Sequence, residues 1–330
     1  MEYLGPTVFE LGESQALAKA VANFKSVPST LVGSGDDAAV IAVPDGRFVV
    51  TTDTLVEDHD FKLELSSGFD LGFKAVASNV ADVVAMGARP VALTVAMVIS
   101  RDTKQSWLED FAKGLQAGID ELAPSAEIVG GDLASGAQVV IAVAAHGELV
   151  GDPVLRSGAK VGDQLVVCGT LGKAAAGLEL LLSADKTLAA SYPELVSVQL
   201  RPMPPLDLAL GVSESANAMM DISDSLVLDA SRMAKASGVS VRILRPQLFG
   251  YEAVLEQAAQ SISSRGDRQI DPLDWVLFGG EDHSFLLSMS ADFKLPPGCK
   301  KVGEVIAAGD SAVYLDGEPI EPKGWDSIRG

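Results

Sequence analysis

Aspartates recur in this chain beside glycine or a hydroxyl residue, and that recurrence is the strongest chemical signal in its 330 residues. The first instance is Gly33-Ser34-Gly35-Asp36-Asp37-Ala38-Ala39, running into the apolar β-branched stretch Val40-Ile41-Ala42-Val43. Two glycines free the backbone and the apolar run carries it into a strand, so Asp36 and Asp37 are expected at the strand's mouth. Pro44-Asp45-Gly46 is a turn signal, 47–52 reads as the return strand, and Asp53 of Thr51-Thr52-Asp53 is expected to end it beside the pair. Carboxylates held that close repel one another unless a cation sits among them, and an all-oxygen set suits a hard ion such as magnesium. Similar strings follow at Gly130-Gly131-Asp132, Asp221-Ile222-Ser223-Asp224-Ser225 and Gly279-Gly280-Glu281-Asp282-His283. Each alone has an ordinary explanation, such as a solvated acidic turn, or a helix cap for Asp224 or Ser223. Asp221 is left over by that explanation, and the repetition points to several magnesium ions bridging a nucleotide and an anionic substrate.

Other chemistries fit less well. Gly33-x-Gly35-x-x-Ala38 matches a dinucleotide fingerprint as a string, yet a strand follows where a helix is needed and two aspartates would face the pyrophosphate. Gly169-Thr170-Leu171-Gly172-Lys173 has glycines too close for a P-loop, and Ala174 stands where a hydroxyl would hold magnesium, so a strand-to-helix turn is expected. No G-x-S-x-G elbow or Cys-His pairing is evident, so no protein nucleophile is expected.

The net charge of -20, from 45 acidic and 25 basic residues without a basic cluster, excludes nucleic-acid backbone binding as a function class. An apolar fraction of 48% marks a globular chain, and the length predicts two domains. Cys168 and Cys299 lie far apart and outside any CxxC, which predicts reduced structural thiols in a cytosolic protein. The first residues lack a basic region followed by an apolar core, and apolar runs such as 91–99 are strand-length, so neither a signal peptide nor a membrane span is expected.

These residues need elements to position them. Apolar spacing predicts a short amphipathic helix over 13–24 and a strong Ala/Val-rich one over 70–86 that stops at Gly87. The second carries Lys74, Asn79 and Asp82; the last two are three apart, so that face is either exposed or looks into a site. Between them, Glu57-Asp58-His59-Asp60-Phe61 is a polar loop able to reach a ligand, with His59 equally readable as a surface histidine. A strand over 91–99, a helix over 107–122, a short strand over 127–129 ending in Gly130-Gly131-Asp132, and a buried-type strand over 139–146 follow, the last making His146 structural. The glycine-rich stretch 147–163 holds the expected boundary between domains 1–150 and 151–330. Arg156, within it, could close over a nucleotide or lie on the surface. Beyond it come strands over 164–168, 218–220, 239–244, 285–288, 302–306 and 312–315, with helices over 204–215, 226–237, 251–263 and 271–278 and a tail holding Trp325.

In their order, Gly35-Asp36-Asp37-Ala38-Ala39-Val40, Thr51-Thr52-Asp53-Thr54-Leu55-Val56-Glu57, Lys74-Ala75-Val76-Ala77-Ser78-Asn79-Val80-Ala81-Asp82 with Ala85-Met86-Gly87-Ala88, Gly130-Gly131-Asp132, Arg156-Ser157-Gly158-Ala159-Lys160, Asp221-Ile222-Ser223-Asp224 and Gly279-Gly280-Glu281-Asp282 resemble the thiamine-monophosphate kinase family over nearly the whole chain. Several motifs are shared with the wider superfamily of aminoimidazole ribonucleotide synthetase, selenophosphate synthetase and a hydrogenase-maturation protein. The Gly-Gly-Glu-Asp and Thr-Thr-Asp-x-Leu-Val-Glu segments resemble the thiamine enzyme in particular.

The resemblance implies an N-terminal α/β domain that dimerises through its strands, an α+β C-terminal domain and a site in the cleft between them, in a cytoplasmic homodimer. It implies ATP-dependent, magnesium-assisted, in-line phosphorylation of thiamine monophosphate to thiamine diphosphate. Asp37, Thr51, Thr52, Asp53, Asp82, Asp132, Asp221 and Asp224 fall on the family's metal positions, and Gly131, Arg156 and Ser223 on nucleotide positions. Glu281 and Trp325 fall on positions facing the thiamine moiety, where a carboxylate and an aromatic face suit a cationic thiazolium and an aminopyrimidine. This chain departs from the family at three places. Asp60 replaces the histidine before Phe61, with His59 one position earlier, Ala112 stands for a tyrosine near the nucleotide, and Ser225 stands for a glycine. Asp60, with His59 as a substitute through a shifted loop, completes the expected substrate contacts. The competing expectations are another ATP-using enzyme of the superfamily, or a non-catalytic nucleotide or metal sensor on its scaffold. The missing N-terminal reactive cysteine and C-terminal cysteine tail disfavour the selenophosphate and hydrogenase branches.

Overall fold

The computed structural model describes residues 30–32, 39–43, 46–100, 103–183, 185–265 and 268–328. Asp36, Asp37 and the helix expected over 13–24 lie outside them. The described chain forms two sheets. Strands β1 (Thr30–Val32), β2 (Ala39–Val43), β3 (Gly46–Val56), β4 (Ala88–Ile99), β5 (Glu127–Ser135) and β6 (Val140–Leu149) make the first, in the order β1-β2-β3-β6-β4-β5. Strands β7 (Gln164–Cys168), β8 (Ala216–Ile222), β9 (Ser240–Ile243), β10 (Ser284–Met289), β11 (Cys299–Ile306), β12 (Val313–Leu315) and β13 (Glu318–Pro319) make the second, in the order β13-β12-β9-β11-β7-β10-β8.

Helix α1 (Gly68–Ala85) joins them. Ser67 caps its first turn, accepting from the Asp70 N–H while Asp70 accepts from the Ser67 N–H, both at 3.1 Å. Its Ala/Val composition leaves almost every face buried, as a helix apolar all round requires. One cluster of buried side chains runs from Val49, Leu93 and Val143 of the first sheet through Leu71, Val76 and Val80 of α1 to Met219, Phe285 and Leu287 of the second. On its outer side α1 meets α2 (Gln105–Leu122) without room for side chains: a Cβ on Gly72 would lie 2.2 Å from the Phe111 carbonyl oxygen. The second sheet is covered by further helices, among them α3 (Lys173–Leu182), α4 (Lys186–Ala190), α5 (Pro193–Leu200), α6 (Leu206–Ser213) and α7 (Leu226–Ser237).

The expected hairpin is present, with Val43 opposite Gly46 and Ala39 opposite Val50. Its return strand continues to Val56 because β6 pairs with it along Phe48–Val56, so Asp53 lies inside β3 and not at its end. Likewise β5 runs straight through Gly130-Gly131-Asp132. A Cβ on Gly131 would lie 2.1 Å from the Val95 carbonyl oxygen, so this glycine admits a close parallel neighbour where the sequence suggested a strand end. The helix expected over 251–263 is two, α8 (Arg245–Glu252) and α9 (Glu256–Ser263), the first entered through Pro246. The helix expected over 271–278 is α10 (Pro272–Phe278), capped by Asp271. The cysteines correct the expectation of free thiols. The β7–β11 register sets Cys168 opposite Cys299 with 4.1 Å between Cα atoms, and the two are joined in a disulfide. Strand pairing brings together what 131 residues of sequence separate.

Candidate active site

A cavity of about 880 Å³ opens where α1 and the end of β3 face the ends of β8 and β10, roofed by the C-terminal tail. Asp53, Asp82, Asp221, Ser223, Asp224, Glu281, His59, Asp60 and Trp325 all line it. Four of the expected metal aspartates and all four expected substrate residues therefore meet in one place.

Each is held by local structure. Thr51 and Asp53, two apart on β3, point to the α1 side of the sheet, and the Thr51 hydroxyl donates to Asp82 Oδ2 at 3.0 Å. Asp82 is thus the part of the polar α1 face that looks into the site. Asn79 is instead buried, donating its amide to the Ala75 carbonyl at 2.9 Å, and its Oδ1 is left without a partner. Asp221 ends β8, with His283 Nδ1 3.4 Å from its Oδ2. The next loop is tied down by Asp229 of α7, which accepts from the Asp224 and Ser225 N–H groups at 3.1 and 3.2 Å. Arg232 donates to both Asp224 and Asp229. The residue that caps α7 is Ser225, accepting from the Leu228 N–H at 3.0 Å, and not Asp224 or Ser223; capping leaves both of those free to face the cavity. The Ser225 hydroxyl also donates to the Lys323 carbonyl at 2.6 Å, and the Trp325 N–H donates to the Asp224 carbonyl at 3.2 Å. These bonds strap the tail over the site, with the His59 ring edge-on to Trp325 at 5.1 Å between centroids. Asp60 accepts from the Val56 N–H at 2.8 Å and lies 3.0 Å from His59 Nδ1.

The turn before β10 splits its two carboxylates. Asp282 turns away from the cavity to accept from the Thr170 hydroxyl at 2.6 Å and from the Lys173 and Ala174 N–H groups at the start of α3. Glu281, at φ 65°, faces the cavity and accepts from Lys74 and Gln199. Sequence reasoning did not single out Gln199 or Arg232, and it named Lys74 and His283 within their segments without giving them a role in the site. The available signal was a lysine in the middle of an apolar helix, which has to find a counter-charge.

Electrostatically the site is short of cations. Burial pushes the Asp53 carboxyl up, with Asp221 and Asp60 adding to the rise and the Thr54 N–H opposing it. Burial also raises Asp224 against the pull of Arg232, and raises Asp229 to about 7 against the same guanidinium. Burial lowers His283, but Asp221 and Glu281 together raise it, for a net rise. Glu281 goes the other way: burial alone would raise it, and Lys74 overrides that to hold it below the ordinary carboxylate value. Carboxylates that resist ionising in a shared cavity are suited to a divalent cation, which would remove the repulsion. Among the described residues no three acidic or histidine side chains form a ready-made cage.

Other expected site residues lie elsewhere. Thr52 alternates to the opposite face of β3 and donates to the Val143 carbonyl at 2.8 Å. Gly131 and Asp132 are on the exposed edge strand, Asp132 in register with Ala96, so it projects from that same opposite face. Arg156 is in the connector between the sheets, where its carbonyl accepts from the Ser237 hydroxyl at 3.3 Å. None of these four lines the cavity. One part of the lining was unexpected: Leu178, Leu181 and Leu182 of α3 with Phe278 give the cavity an apolar side.

Residues 35–149 match the family described as AIR synthase related protein, N-terminal domain. Over 326 residues the chain is 38% identical to the thiamine-monophosphate kinase of Mycobacterium tuberculosis, covering 98% of this chain and 93% of that one. The chain belongs to the thiamine-monophosphate kinase family. The Corynebacterium glutamicum member is 37% identical, with 98% of this chain and 96% of that one covered. Among solved structures, "AaThiL complexed with AMPPCP and TMP" superposes with a TM-score of 0.83 at 31% identity, covering 98% and 99% of the two chains. Family membership and the fold of that solved member agree with the two-sheet architecture described above.

Proposed function

We propose that this protein is a thiamine-phosphate kinase whose chemistry takes place in the cavity between the two sheets. It transfers the terminal phosphoryl group of ATP to thiamine monophosphate, giving thiamine diphosphate. The observation that carries the reading is the convergence of Asp53, Asp82, Asp221 and Asp224 from both sheets on a cavity that also presents Glu281 and Trp325, in a chain of this family. Magnesium, when bound, would neutralise phosphate oxygens and the charge that develops on transfer.

The chain's own residues position the reactants. Asp53, Asp82, Asp221 and Asp224 would supply carboxylate oxygens to the ions, with Thr51 orienting Asp82 through its hydroxyl. Ser223 lies where a nucleotide phosphate can be met, at the loop leading into α7. Glu281, Trp325, Asp60 and His59 receive the cationic acceptor, the Trp325 face and the Glu281 carboxylate matching its two rings. Leu178, Leu181 and Leu182 give that side of the cavity an apolar lining. In this reading Asp37, Gly131 and Arg156 add ion and nucleotide contacts, as their family positions suggest, whereas the Thr52 and Asp132 side chains, which leave the opposite face of the first sheet, add none to this cavity. The site uses no protein nucleophile, the acceptor's phosphate oxygen attacking directly.

The reading includes two domains, 1–150 and 151–330, and a cytoplasmic homodimer. The dimer is supported by the face of the first sheet away from α1. Among the described residues no helix covers it, and Thr52, Thr54 and Ala96 on it are exposed. No helix of the described residues is long and apolar enough to cross a membrane. Incubation of the purified protein with ATP, magnesium and thiamine monophosphate tests the function: thiamine diphosphate is the expected product. Nucleotide binding without product would favour a sensor on this scaffold.

A further inference from the structure

Lys74 is a buried cation that no role described so far employs. It sits mid-way along α1 with its side chain only 4% exposed, and its Nζ lies 2.8 Å from Glu281 Oε2, 207 residues away. A lysine in such a place is costly unless paired. Its partner is unusual as well. Glu281 occupies a left-handed conformation (φ 65°), fixed by its N–H donating to the Ser223 carbonyl at 2.8 Å. Gln199 of α5 donates to the same Oε2, also at 2.8 Å. Two donors from two different elements thus hold one carboxylate oxygen, while about a third of the side chain stays open to the cavity.

We infer that Lys74 and Gln199 are positioning residues for the acceptor: together they lock Glu281 by Oε2 so that Oε1 is presented to the cationic ring or exocyclic amine of the molecule being phosphorylated. The inference rests on the reading of Glu281 as an acceptor contact. A charge locked in place loses no rotamer freedom when the acceptor arrives. Because Lys74 belongs to the first sheet's helix and Glu281 to the turn that enters β10 of the second sheet, the pair also ties acceptor recognition to the closeness of the two halves.

The test is a double-mutant cycle on steady-state kinetics with Lys74→Met, Glu281→Gln and the double variant. Glu281→Gln is expected to raise KM for thiamine monophosphate by about tenfold or more, the usual effect of losing a charged hydrogen bond. Lys74→Met is expected to raise it by a similar factor while leaving KM for ATP within about twofold, and to add nothing on the Glu281→Gln background. An unchanged KM for thiamine monophosphate in Glu281→Gln overturns the acceptor reading of Glu281 itself. A raised KM in Glu281→Gln with no change in Lys74→Met, or with additive effects, leaves that reading standing and overturns the role of Lys74. Should Lys74→Met fail to fold, Gln199→Leu probes the same oxygen: a rise of about threefold in KM for thiamine monophosphate alone is expected, and no rise overturns the proposal.

Discussion

Gly280→Ala isolates the junction on which the site depends. A Cβ at this position would lie 2.2 Å from the Ser223 carbonyl oxygen and 3.1 Å from both the carbonyl carbon and oxygen of Asp224. All three are backbone atoms that cannot swing aside. Ordinary contact needs roughly 3.4 Å, so the Glu281 turn and the 221–225 loop must separate by about 1 Å. Overpacking of this kind costs about 1–3 kcal/mol, and the adjacent Glu281 N–H to Ser223 bond adds about 1 kcal/mol if lost. With a total of about 2–4 kcal/mol, Tm should fall by roughly 3–6 °C for a chain of this size. The effect on activity should be much larger, because a 1 Å displacement of reacting groups costs on the order of a hundredfold in rate. Here it moves Asp224 and Glu281 apart together. Differential scanning calorimetry and a thiamine diphosphate assay measure the two quantities. Gly211→Ala serves as the control: its added Cβ meets nothing within 4 Å on α6, so Tm should hold or rise and activity should be unchanged. A folded Gly280→Ala enzyme with kcat/KM within about threefold of the parent would refute the reasoning.

Three further outcomes are expected. Asp53→Asn should abolish turnover while leaving the melting temperature close to that of the parent, because its proposed work is ion binding; a parental rate would remove Asp53 from the site. Asp53 and Asp224 retain protons above the ordinary value of 3.8, so in the ion-free protein their contribution to stability is full below that pH and is lost as pH rises through their folded values. Magnesium displaces those protons, so the rise in Tm on adding it should grow with pH over the same window, by up to about 1.4 kcal/mol per pH unit for each proton displaced; a pH-independent rise would contradict this. The Cys168–Cys299 disulfide closes 131 residues of chain, for which chain entropy gives about 4–5 kcal/mol. Thiol titration without reductant should find no free cysteine and reduction should lower Tm, whereas two free thiols in the native protein would contradict the pairing.

Local signals carried much of the fold into view from sequence. The Ala/Val run ending at Gly87 gave α1, β7 and α10 fell within a residue of expectation, and of the aspartates grouped by their recurrence Asp53, Asp82, Asp221 and Asp224 line one cavity. What stayed hidden was long-range. Nothing near Cys168 announces Cys299, since register across β7 and β11 decides that contact. Glycine has two uses, ending a strand or admitting a close neighbour, and at Gly131 the second won, carrying β5 onward and putting Asp132 on the face away from Asp53. Asp224 and Ser225 compete for one cap, which geometry alone assigned to Ser225. Lys74 was visible as a misfit on an apolar helix, but its partner is 207 residues away and known only once the two sheets are packed.

The central claim is that aspartates from both sheets hold divalent cations between nucleotide and acceptor. Its most direct measurement is calorimetric binding of a non-hydrolysable ATP analogue to the parent and to Asp221→Asn, with and without magnesium. Magnesium-dependent binding by the parent that is lost in Asp221→Asn is the predicted result. Equal magnesium-dependent affinity in the two proteins would contradict the account.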